Sequence, residues 1–247
     1  MNNNDFITPD WPAPANVRAL ITTRAGGVSA EPWASLNLGY RAGDDADAVT
    51  QNRALLARHL PQSPKWLTQV HATTVVDADA LTDSPPADAS VARNAGTVCA
   101  IMIADCLPVL FTNRSGSVVA AAHAGWRGLS GGVIANTVRA LGVAGAPPDE
   151  LMAYIGPGIG PDAFEVGEDV YAAFTATDAE AASAFIPHKQ GKYLADLFTL
   201  ARRALARAGV TQVYGGGMCT YSDAKRFFSY RRDKVTGRMA ALIWRQA

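Results

Sequence analysis

The most regular hydrophobic pattern of the chain lies between residues 97 and 124. One apolar run spans residues 97–111 and a second spans 117–124, and the polar segment Asn113-Arg114-Ser115-Gly116 separates them. Apolar runs bounded by turn-forming residues are typical of buried strands, and the short break predicts that the two runs pair as a hairpin.

This hairpin would bring a thiol and an imidazole together, because the first run carries Cys106 and the second carries His123. If the turn is centred on Arg114-Ser115, the two residues face each other with Cβ atoms about 5 Å apart. If the turn is Ser115-Gly116, His123 is instead a diagonal neighbour of Cys106. Both registers place the two side chains within reach of one shared ion.

The remaining pattern predicts a mixture of strands and helices. Strands are expected at residues 17–23, 66–71, 151–154, 211–214 and 239–244, and helices at 47–60, 133–141, 164–174 and 193–208. Residues 78–96 indicate a loop with at most a short element. Hairpins interspersed with strand–helix pairs favour an α/β or α+β domain with mixed sheets covered by helices. We expect one domain over residues 1–247, with a loosely ordered N-terminal extension at 1–15.

Composition narrows the class of protein. The 247 residues are 49% hydrophobic, which is enough for a sizeable core, and the formal net charge is zero. The longest basic block is Arg231-Arg232, so neither nucleic acid nor a membrane surface is an expected partner. The N-terminus does not resemble a signal peptide, and three widely spaced cysteines do not form a disulfide framework. These features together predict a cytoplasmic protein with free thiols.

A third metal-binding side chain, His71, ends the predicted strand at 66–71. His71, Cys106 and His123 together suit a zinc ion with an open fourth position. The same residues also fit a metal-free nucleophile, in which Cys106 attacks, His123 or His71 acts as the base, and Asp105 or Gln69 orients it. The residue chemistry favours the metal.

Two glycine-rich segments are candidate anion sites. Arg24 precedes Gly26-Gly27, and Arg127 lies in a segment from Gly125 to Gly132 that leads into a predicted helix. Backbone N–H groups at a helix start and a neighbouring guanidinium group favour phosphate. An ordinary turn and tight strand–helix packing are the alternative interpretations of these glycines.

Seven motifs, in order along about residues 17–245, resemble the YfiH-like family, also named the multicopper polyphenol oxidoreductase (laccase-domain) family. They read Thr-Thr-Arg-Ala-Gly-Gly-Val-Ser (22–29), Ser-Leu-Asn-Leu-Gly (35–39), Gln-Val-His (69–71), Ala-Asp-Cys-Leu-Pro-Val (104–109), His-Ala-Gly-Trp-Arg-Gly (123–128), Ile-Gly-Pro-Gly-Ile (155–159) and Phe-Phe-Ser-Tyr-Arg-Arg (227–232). The chain departs from the family pattern at Arg41, where relatives have histidine, and at Ala72, where they have glycine.

The resemblance implies stacked mixed sheets in an α-β-β-α, cysteine-hydrolase-like architecture, with zinc at His71, Cys106 and His123. It also implies phosphorolysis of adenosine, inosine, guanosine and 5′-methylthioadenosine, together with deamination of adenosine. Copper-dependent phenol oxidation and the editing of peptidoglycan precursors are attributed to relatives. The first requires copper, for which four histidines are too few to build separate type 1 and trinuclear centres. The second would suit a Cys-dependent amidase.

The expected roles of individual residues follow from this resemblance. Asp105 is expected to carry a proton, and Phe228 or Tyr230 to stack on the purine. The residues expected to bind substrate or phosphate are Arg24, Asn37, Gln69, Gly125, Arg127, Phe228, Tyr230 and Arg231. The expected ligands are purine nucleosides and phosphate, and the expected state is a monomer or a weak homodimer.

Overall fold

The computed structural model describes residues 6–247, and its strands and helices follow the sequence pattern closely at most positions. The strands are β1 Phe6–Ile7, β2 Val17–Thr22, β3 Val75–Asp77, β4 Ala89–Ala92, β5 Cys99–Ile103, β6 Leu107–Asn113, β7 Val119–Ala124, β8 Leu151–Ile155, β9 Glu165–Gly167, β10 Phe185–Pro187, β11 Lys192–Ala195, β12 Gln212–Gly215 and β13 Met239–Arg245. The helices are α1 Ala46–Ala57, α2 Trp126–Gly131, α3 Val133–Val143, α4 Glu168–Thr175, α5 Leu197–Arg207 and α6 Tyr230–Asp233.

These strands form three sheets. A six-stranded sheet has the order β12-β8-β6-β7-β4-β3, and a four-stranded sheet has the order β1-β2-β13-β5. The six-stranded sheet is mixed, because β12 pairs with β8 and β3 with β4 in parallel while its other pairs are antiparallel. The four-stranded sheet is antiparallel throughout. The small third sheet has the order β10-β11-β9.

Alternation of side chains along the strands creates separate cores on the two faces of each large sheet. In β6, Val109 and Phe111 belong to the core shared with α3 and α5, whereas Leu110 belongs to the core between the two sheets. In β13, Ile243 faces that inter-sheet core, whereas Leu242 packs with Leu56 of α1 on the outer face. The layers are therefore helix, four-stranded sheet, six-stranded sheet and helix, which confirms the expected α-β-β-α class.

The predicted helix at 193–208 begins later than expected. Lys192–Ala195 forms β11, which pairs with β10 on one side and β9 on the other. The helix α5 then starts at Leu197, where Asp196 caps it by accepting the N–H of Thr199 at 3.0 Å. The helical spacing of Leu194 was thus coincidental, and pairing with neighbouring strands decided its conformation.

Two other predictions were wrong. The predicted helix at 164–174 begins only at Glu168, because Glu165–Gly167 forms β9 and pairs with β11. Residues 66–71 do not form a regular strand and make only the isolated bridges Lys65–Cys99 and Thr68–Pro86 in this region. The segment at 78–96, expected to be a loop with at most a short element, contains the four-residue strand β4, which lies inside the six-stranded sheet between β3 and β7. Its small residues have low intrinsic strand preference but fit where the strand is buried on both faces.

Of the predicted N-terminal extension, residues 1–5 lie outside the described part of the chain. Phe6 and Ile7 pair with Thr22 and Ile21 at the edge of the four-stranded sheet. Among the described residues, no helix has both the length and the apolar character needed to cross a bilayer.

Candidate active site

Cys106 lies where the chain passes from one large sheet to the other. β5 ends at Ile103 in the four-stranded sheet and β6 begins at Leu107 in the six-stranded sheet. Between them, Asp105 adopts a φ of 96°, a conformation that costs energy for any residue other than glycine. The Asp105 carboxylate accepts hydrogen bonds from Thr220 Oγ1 at 2.7 Å and from the N–H of Arg231 at 2.6 Å. These contacts fix the turn that presents Cys106, and a role for Asp105 as a proton carrier stays a prediction.

His123 reaches the same place from β7. The observed register pairs Pro108 with His123, so the second of the two predicted registers is correct and Cys106 is a diagonal neighbour of His123. The turn itself is centred on Arg114-Ser115, where the N–H of Gly116 donates to the carbonyl of Asn113 at 2.9 Å. The imidazole lies on the same strand face as Ala121, toward the inter-sheet core, and is only 3% exposed.

His71 comes from the irregular segment that follows Thr68, and Asp88 holds it in place. His71 has a φ of 59°. The buried Asp88 carboxylate accepts the N–H groups of Val70, His71 and Ala72 at 3.2, 3.0 and 2.7 Å. The same carboxylate lies 2.8 Å from Nδ1 of His123. Asp88 therefore positions two of the three predicted ligands, and no motif in the sequence indicated it.

The three side chains fit the donor set of a metal site. Their ligand atoms all lie within 4.8 Å of one another, and Cys106 Sγ is 3.8 Å from His71 Nε2. Two donors on one tetrahedral zinc ion, with bonds of about 2.0–2.3 Å, are separated by about 3.3–3.8 Å. Because Asp88 occupies Nδ1 of His123, the Nε2 atom of that ring is left to face the thiol. A carboxylate behind a ligating histidine is a common feature of zinc sites.

The electrostatics of the cluster favour a thiolate beside an imidazolium. Burial by itself would raise the pKa of Cys106, but the charge of His123 and hydrogen bonds from His123 and His71 lower it to about 6. Burial would likewise lower the pKa of His123, but the Cys106 thiolate and the Asp88 carboxylate raise it to about 9. A thiolate is the form of cysteine that binds metals and acts as a nucleophile.

The cluster lies in a cavity of about 790 Å³. Five arginines line its walls, namely Arg41, Arg53, Arg127, Arg231 and Arg238. Aromatic side chains also line these walls, namely Tyr40, Trp66, Trp126, Phe164 and Tyr230. Asp105 is the one carboxylate among the described residues that line this cavity. The cavity thus combines a positive wall with flat apolar surfaces, as a ligand with an anionic group and a ring system requires.

Several residues expected to bind substrate do line the cavity, namely Gln69, Arg127, Tyr230 and Arg231. Tyr230 is 54% exposed, so its ring is available for stacking. The amide of Gln69 is already engaged, because it donates to the carbonyl of Met102 at 2.9 Å and accepts the N–H of Met102 at 2.7 Å. Gln69 therefore fixes the cavity wall to β5, and its amide is not free for a ligand.

Four expected contacts do not line the cavity, namely Arg24, Asn37, Gly125 and Phe228, and all except Gly125 lie behind its wall. Phe228 is fully buried, and Arg24 stacks on its ring at 4.8 Å while donating to the carbonyl of Ala34. Asn37 is also fully buried, and its Oδ1 accepts the N–H groups of Gly39 and Arg238 at 2.9 and 2.8 Å. Arg24, Asn37 and Phe228 therefore support the loops behind the cavity and do not face a ligand.

Gly125 contributes empty space. A Cβ atom at this position would lie 2.8 Å from Cys106 Sγ and 3.1 Å from Cδ2 of His71. The glycine-rich segment after it is not the predicted loop, because residues 126–131 form α2 and α3 begins at Val133. Gly125 is extended and precedes the first residue of α2, and its lack of a side chain lets α2 start directly against the cluster of His71, Cys106 and His123.

The other two histidines lie elsewhere. His59 packs against the ring of Phe6 at 4.9 Å between centroids, and His188 lies 3.5 Å from a carboxylate oxygen of Glu165. In the part of the chain that the structure describes, the cluster of His71, Cys106 and His123 is the one group with the donors for a metal ion.

Comparison with known proteins finds relatives that are similar to this chain over nearly its whole length. The chain is 56% identical to "Purine nucleoside phosphorylase PA4543" of Pseudomonas aeruginosa, over 98% of this chain and 99% of that protein. It is 54% identical to "Purine nucleoside phosphorylase YfiH" of Escherichia coli, over 97% of this chain and 98% of that protein. The crystal structure of Neisseria meningitidis protein NMB0706 superposes with a TM-score of 0.94 at 55% identity, and covers 98% of this chain and 100% of that one.

The family description "multi-copper polyphenol oxidoreductase laccase" matches residues 18–246. This match covers nearly the whole chain, and the relatives named purine nucleoside phosphorylase are similar over the same length. The resemblance carried by the sequence motifs is therefore confirmed, and the chain belongs to the YfiH-like, laccase-domain family.

Proposed function

We propose that the protein is a metal-dependent purine nucleoside phosphorylase that uses zinc. The observation that carries this proposal is the cluster of His71, Cys106 and His123 inside a cavity lined by arginine and aromatic side chains. The names of the closely similar relatives support the same reaction type. Adenosine, inosine, guanosine and 5′-methylthioadenosine are the proposed substrates.

Zinc suits the donor set because two imidazoles and a thiolate leave a fourth position open. When bound, the ion would polarise an oxygen or nitrogen atom of the substrate as a Lewis acid. Asp88 would hold the ring of His123 and the loop of His71 in the geometry that binding requires. Gly125 would keep the space beside the thiol free of side-chain atoms.

In phosphorolysis, a phosphate oxygen forms a bond to C1′ of the ribose while the bond from C1′ to the purine nitrogen breaks. The base leaves with the electron pair of that bond and takes up a proton, and the sugar becomes ribose 1-phosphate. We assign the phosphate to Arg127 and Arg231, whose guanidinium groups suit bidentate binding of phosphate oxygens. Arg231 is held in place by donating to the carbonyl of Glu165 at 2.8 Å and by stacking on Phe164. Tyr230 would stack on the purine.

The test is the turnover of inosine by zinc-loaded protein with and without phosphate. We expect hypoxanthine and ribose 1-phosphate in equal amounts, and only when phosphate is present. The variant Cys106→Ala should retain the fold and lose the activity. Failure to form ribose 1-phosphate with any of the four nucleosides would overturn the proposal.

We further propose adenosine deamination in the same cavity, in which water replaces the amino group at C6 and ammonia leaves. Adenosine incubated without phosphate should yield inosine and ammonia. Loss of this activity together with phosphorolysis in Cys106→Ala would support one shared site.

One observation favours a second candidate function. Cys106 Sγ is 3.8 Å from Nε2 of His71, and the pKa of the thiol is low enough for a metal-free nucleophile. A Cys-dependent amidase acting on peptidoglycan precursors would use this pair directly. Activity that survives complete removal of metal would favour the amidase, whereas loss of activity with the metal favours zinc.

Copper-dependent phenol oxidation is the activity that the family description suggests. The cluster offers two histidines and one cysteine, a donor set for one ion. Metal analysis of protein purified without added copper should find zinc, and stoichiometric copper would favour the oxidase. A cytoplasmic location and a monomeric or weakly dimeric state stay predictions from the sequence.

A further inference from the structure

The cavity carries more positive charge than a neutral nucleoside and one phosphate ion need. Among the described residues, none of its five arginines forms an ion pair. Asp105 offsets one positive charge and a phosphate dianion would offset two more. About two guanidinium groups would remain uncompensated, because the charge of a bound divalent metal would itself be balanced by the Cys106 thiolate and the Asp88 carboxylate. Arg41 and Arg127 are exposed and stay solvated, whereas an unpaired charge is costly on the partly buried Arg53 and Arg238. These two arginines therefore indicate a second anionic group on the ligand.

Arg53 and Arg238 are the arginines whose charge is most affected by the protein. Burial lowers the pKa of Arg53, and Tyr40 opposes that effect. Burial also lowers the pKa of Arg238, and the nearby Asp105 and Cys106 oppose it. Both guanidinium groups are therefore partly removed from water, and neither forms an ion pair with a carboxylate among residues 6–247.

The Arg53 side chain is fixed by its neighbours, but part of its hydrogen-bonding capacity remains without a partner among the described residues. Its plane is sandwiched between the rings of Tyr40 and Trp66, at 4.4 and 4.3 Å. Nε donates to the carbonyl of Leu38 at 2.9 Å, and Nη2 lies 3.9 Å from the sulfur of Met102. Among the described residues, Nη1 has no hydrogen-bond partner. Because the side chain is already ordered, binding an anion would cost little additional conformational entropy.

Arg238 is anchored in a similar way. Its Nη1 donates to the carbonyls of Thr236 and Gly237 at 2.8 and 3.0 Å. Its Cβ and Cγ pack beside Gly39, where an added Cβ would approach Cγ to 2.8 Å. In the described part of the chain, Nε and Nη2 have no acceptor. Arg53 donates to Leu38, the neighbour of Gly39, so both arginines border the same segment of the cavity wall.

We propose that Arg53 and Arg238 form a second anion subsite that binds the 5′-phosphate of a purine nucleoside 5′-monophosphate. This inference rests on the proposed function for the nucleoside part of the ligand and for the assignment of Arg127 and Arg231 to inorganic phosphate. The site then takes phosphorylated nucleosides in addition to free ones. Two guanidinium groups suit a phosphate dianion in both charge and hydrogen-bond geometry.

The test is calorimetric binding of inosine 5′-monophosphate and of inosine to zinc-loaded protein in phosphate-free buffer, where neither deamination nor phosphorolysis can consume the ligands. We expect the monophosphate to bind about tenfold or more tightly, as hydrogen bonds to a charged group predict. Arg53→Gln and Arg238→Gln should each reduce that preference about tenfold, whereas the exposed Arg139→Gln on α3 should leave it unchanged. Arg53→Lys retains the charge, and serves as the second variant if Arg53→Gln does not fold.

Equal affinity for the two ligands in the wild-type protein would overturn the subsite. An equal loss of both affinities in Arg53→Gln and Arg238→Gln would also overturn it, because these arginines would then only support the wall. The binding measurement requires no turnover. If the protein is inactive but prefers the monophosphate through Arg53, phosphorolysis is refuted and the subsite is supported. If the protein is an active phosphorylase without that preference, the subsite is refuted and phosphorolysis is supported.

Discussion

Asp88 and His123 form a buried pair in which the carboxylate lies 2.8 Å from Nδ1 of the imidazole. The backbones of the two residues are also hydrogen-bonded, because the N–H of His123 donates to the carbonyl of Asp88 at 2.7 Å. The same carboxylate accepts three N–H groups from the loop that carries His71. A single acidic side chain thus sets the separation of two ligands that are far apart in sequence.

Asp88→Asn should weaken metal binding about 10- to 100-fold, the usual effect of changing the partner of a ligating histidine. The amide retains one acceptor oxygen but loses the charge that raises the pKa of His123. Competition with a chromogenic chelator measures the zinc affinity. Asp79→Asn is the matched control, because Asp79 also accepts backbone N–H groups, from Arg93 and Asn94, but lies outside the cavity. Unchanged affinity in Asp88→Asn would refute the positioning role.

Gly125→Ala should reduce activity and zinc affinity about tenfold or more, because the added methyl group would lie 2.8 Å from Cys106 Sγ and overpacking disturbs the local geometry. Gly142→Ala is the matched control, since no atom lies within 4 Å of its added Cβ and alanine favours the helix. Both variants are measured by inosine turnover and by chelator competition. If the two variants behave alike, the space beside the thiol is not required.

Cys106 should react with iodoacetamide at unusually low pH in metal-free protein. The thiolate fraction grows as pH rises through the pKa, and the pKa of about 6 places this rise well below that of an ordinary cysteine. The buried Cys99, whose pKa is raised to about 12, should not react in the folded protein. Mass spectrometry of the peptide containing Cys106, in a Cys219→Ala background, follows the reaction.

Added zinc should protect Cys106 from this alkylation. An onset of reaction only above about pH 8 would contradict the thiolate–imidazolium pair, since that is the range of an unperturbed thiol. Reaction at the same rate with and without zinc would contradict metal binding by Cys106.

Thr220→Val should lower activity, because it removes the hydroxyl that donates to Asp105 at 2.7 Å and leaves one carboxylate oxygen without that partner in a buried site. The loss of a hydrogen bond to a charged group predicts a destabilisation of about 1.5–3 kcal/mol. Chemical unfolding measures the stability, and inosine turnover measures the effect on the Cys106 turn. Thr175→Val in α4 is the control, because it removes a hydroxyl that donates to the carbonyl of Tyr171 at 2.9 Å and neither residue lines the cavity. A Thr220 variant with wild-type stability would show that Asp105 does not depend on this contact.

The sequence predicted the features that depend on periodicity and on distinctive motifs. Continuous apolar runs along β6, β7 and β13 indicated buried strands, and turn arithmetic limited Cys106 and His123 to two registers, one of which is observed. His71 joined the group through the family resemblance, and the structure brings its imidazole to 3.8 Å from the thiol.

Other parts of the site could not be predicted because they depend on contacts between distant segments. Asp88 lies in an Ala- and Pro-rich segment, and its partners are 16 to 35 residues away along the chain. The sequence around Phe228 does not distinguish a buried ring from an exposed ring that could stack on a ligand, but the packing of its loop buries it completely. The sequence predicts that Arg53 is a charged side chain on the polar face of a helix. Only the tertiary fold places its guanidinium group between the rings of Tyr40 and Trp66.

The crossing at residues 104–106 has a consequence for how long the folded chain survives in a cell. Cys106 directly precedes β6, which pairs with the β7 strand of His123, while the segment that carries His71 is tied to β5 of the other sheet through Gln69 and Met102. An ion held by all three residues therefore exists only while the chain is folded. Its binding free energy is then added to that of folding, and the thermal midpoint should rise with the concentration of free metal. When metal is scarce, the protein would lose activity, and its amount in the cell would also fall through unfolding and proteolysis.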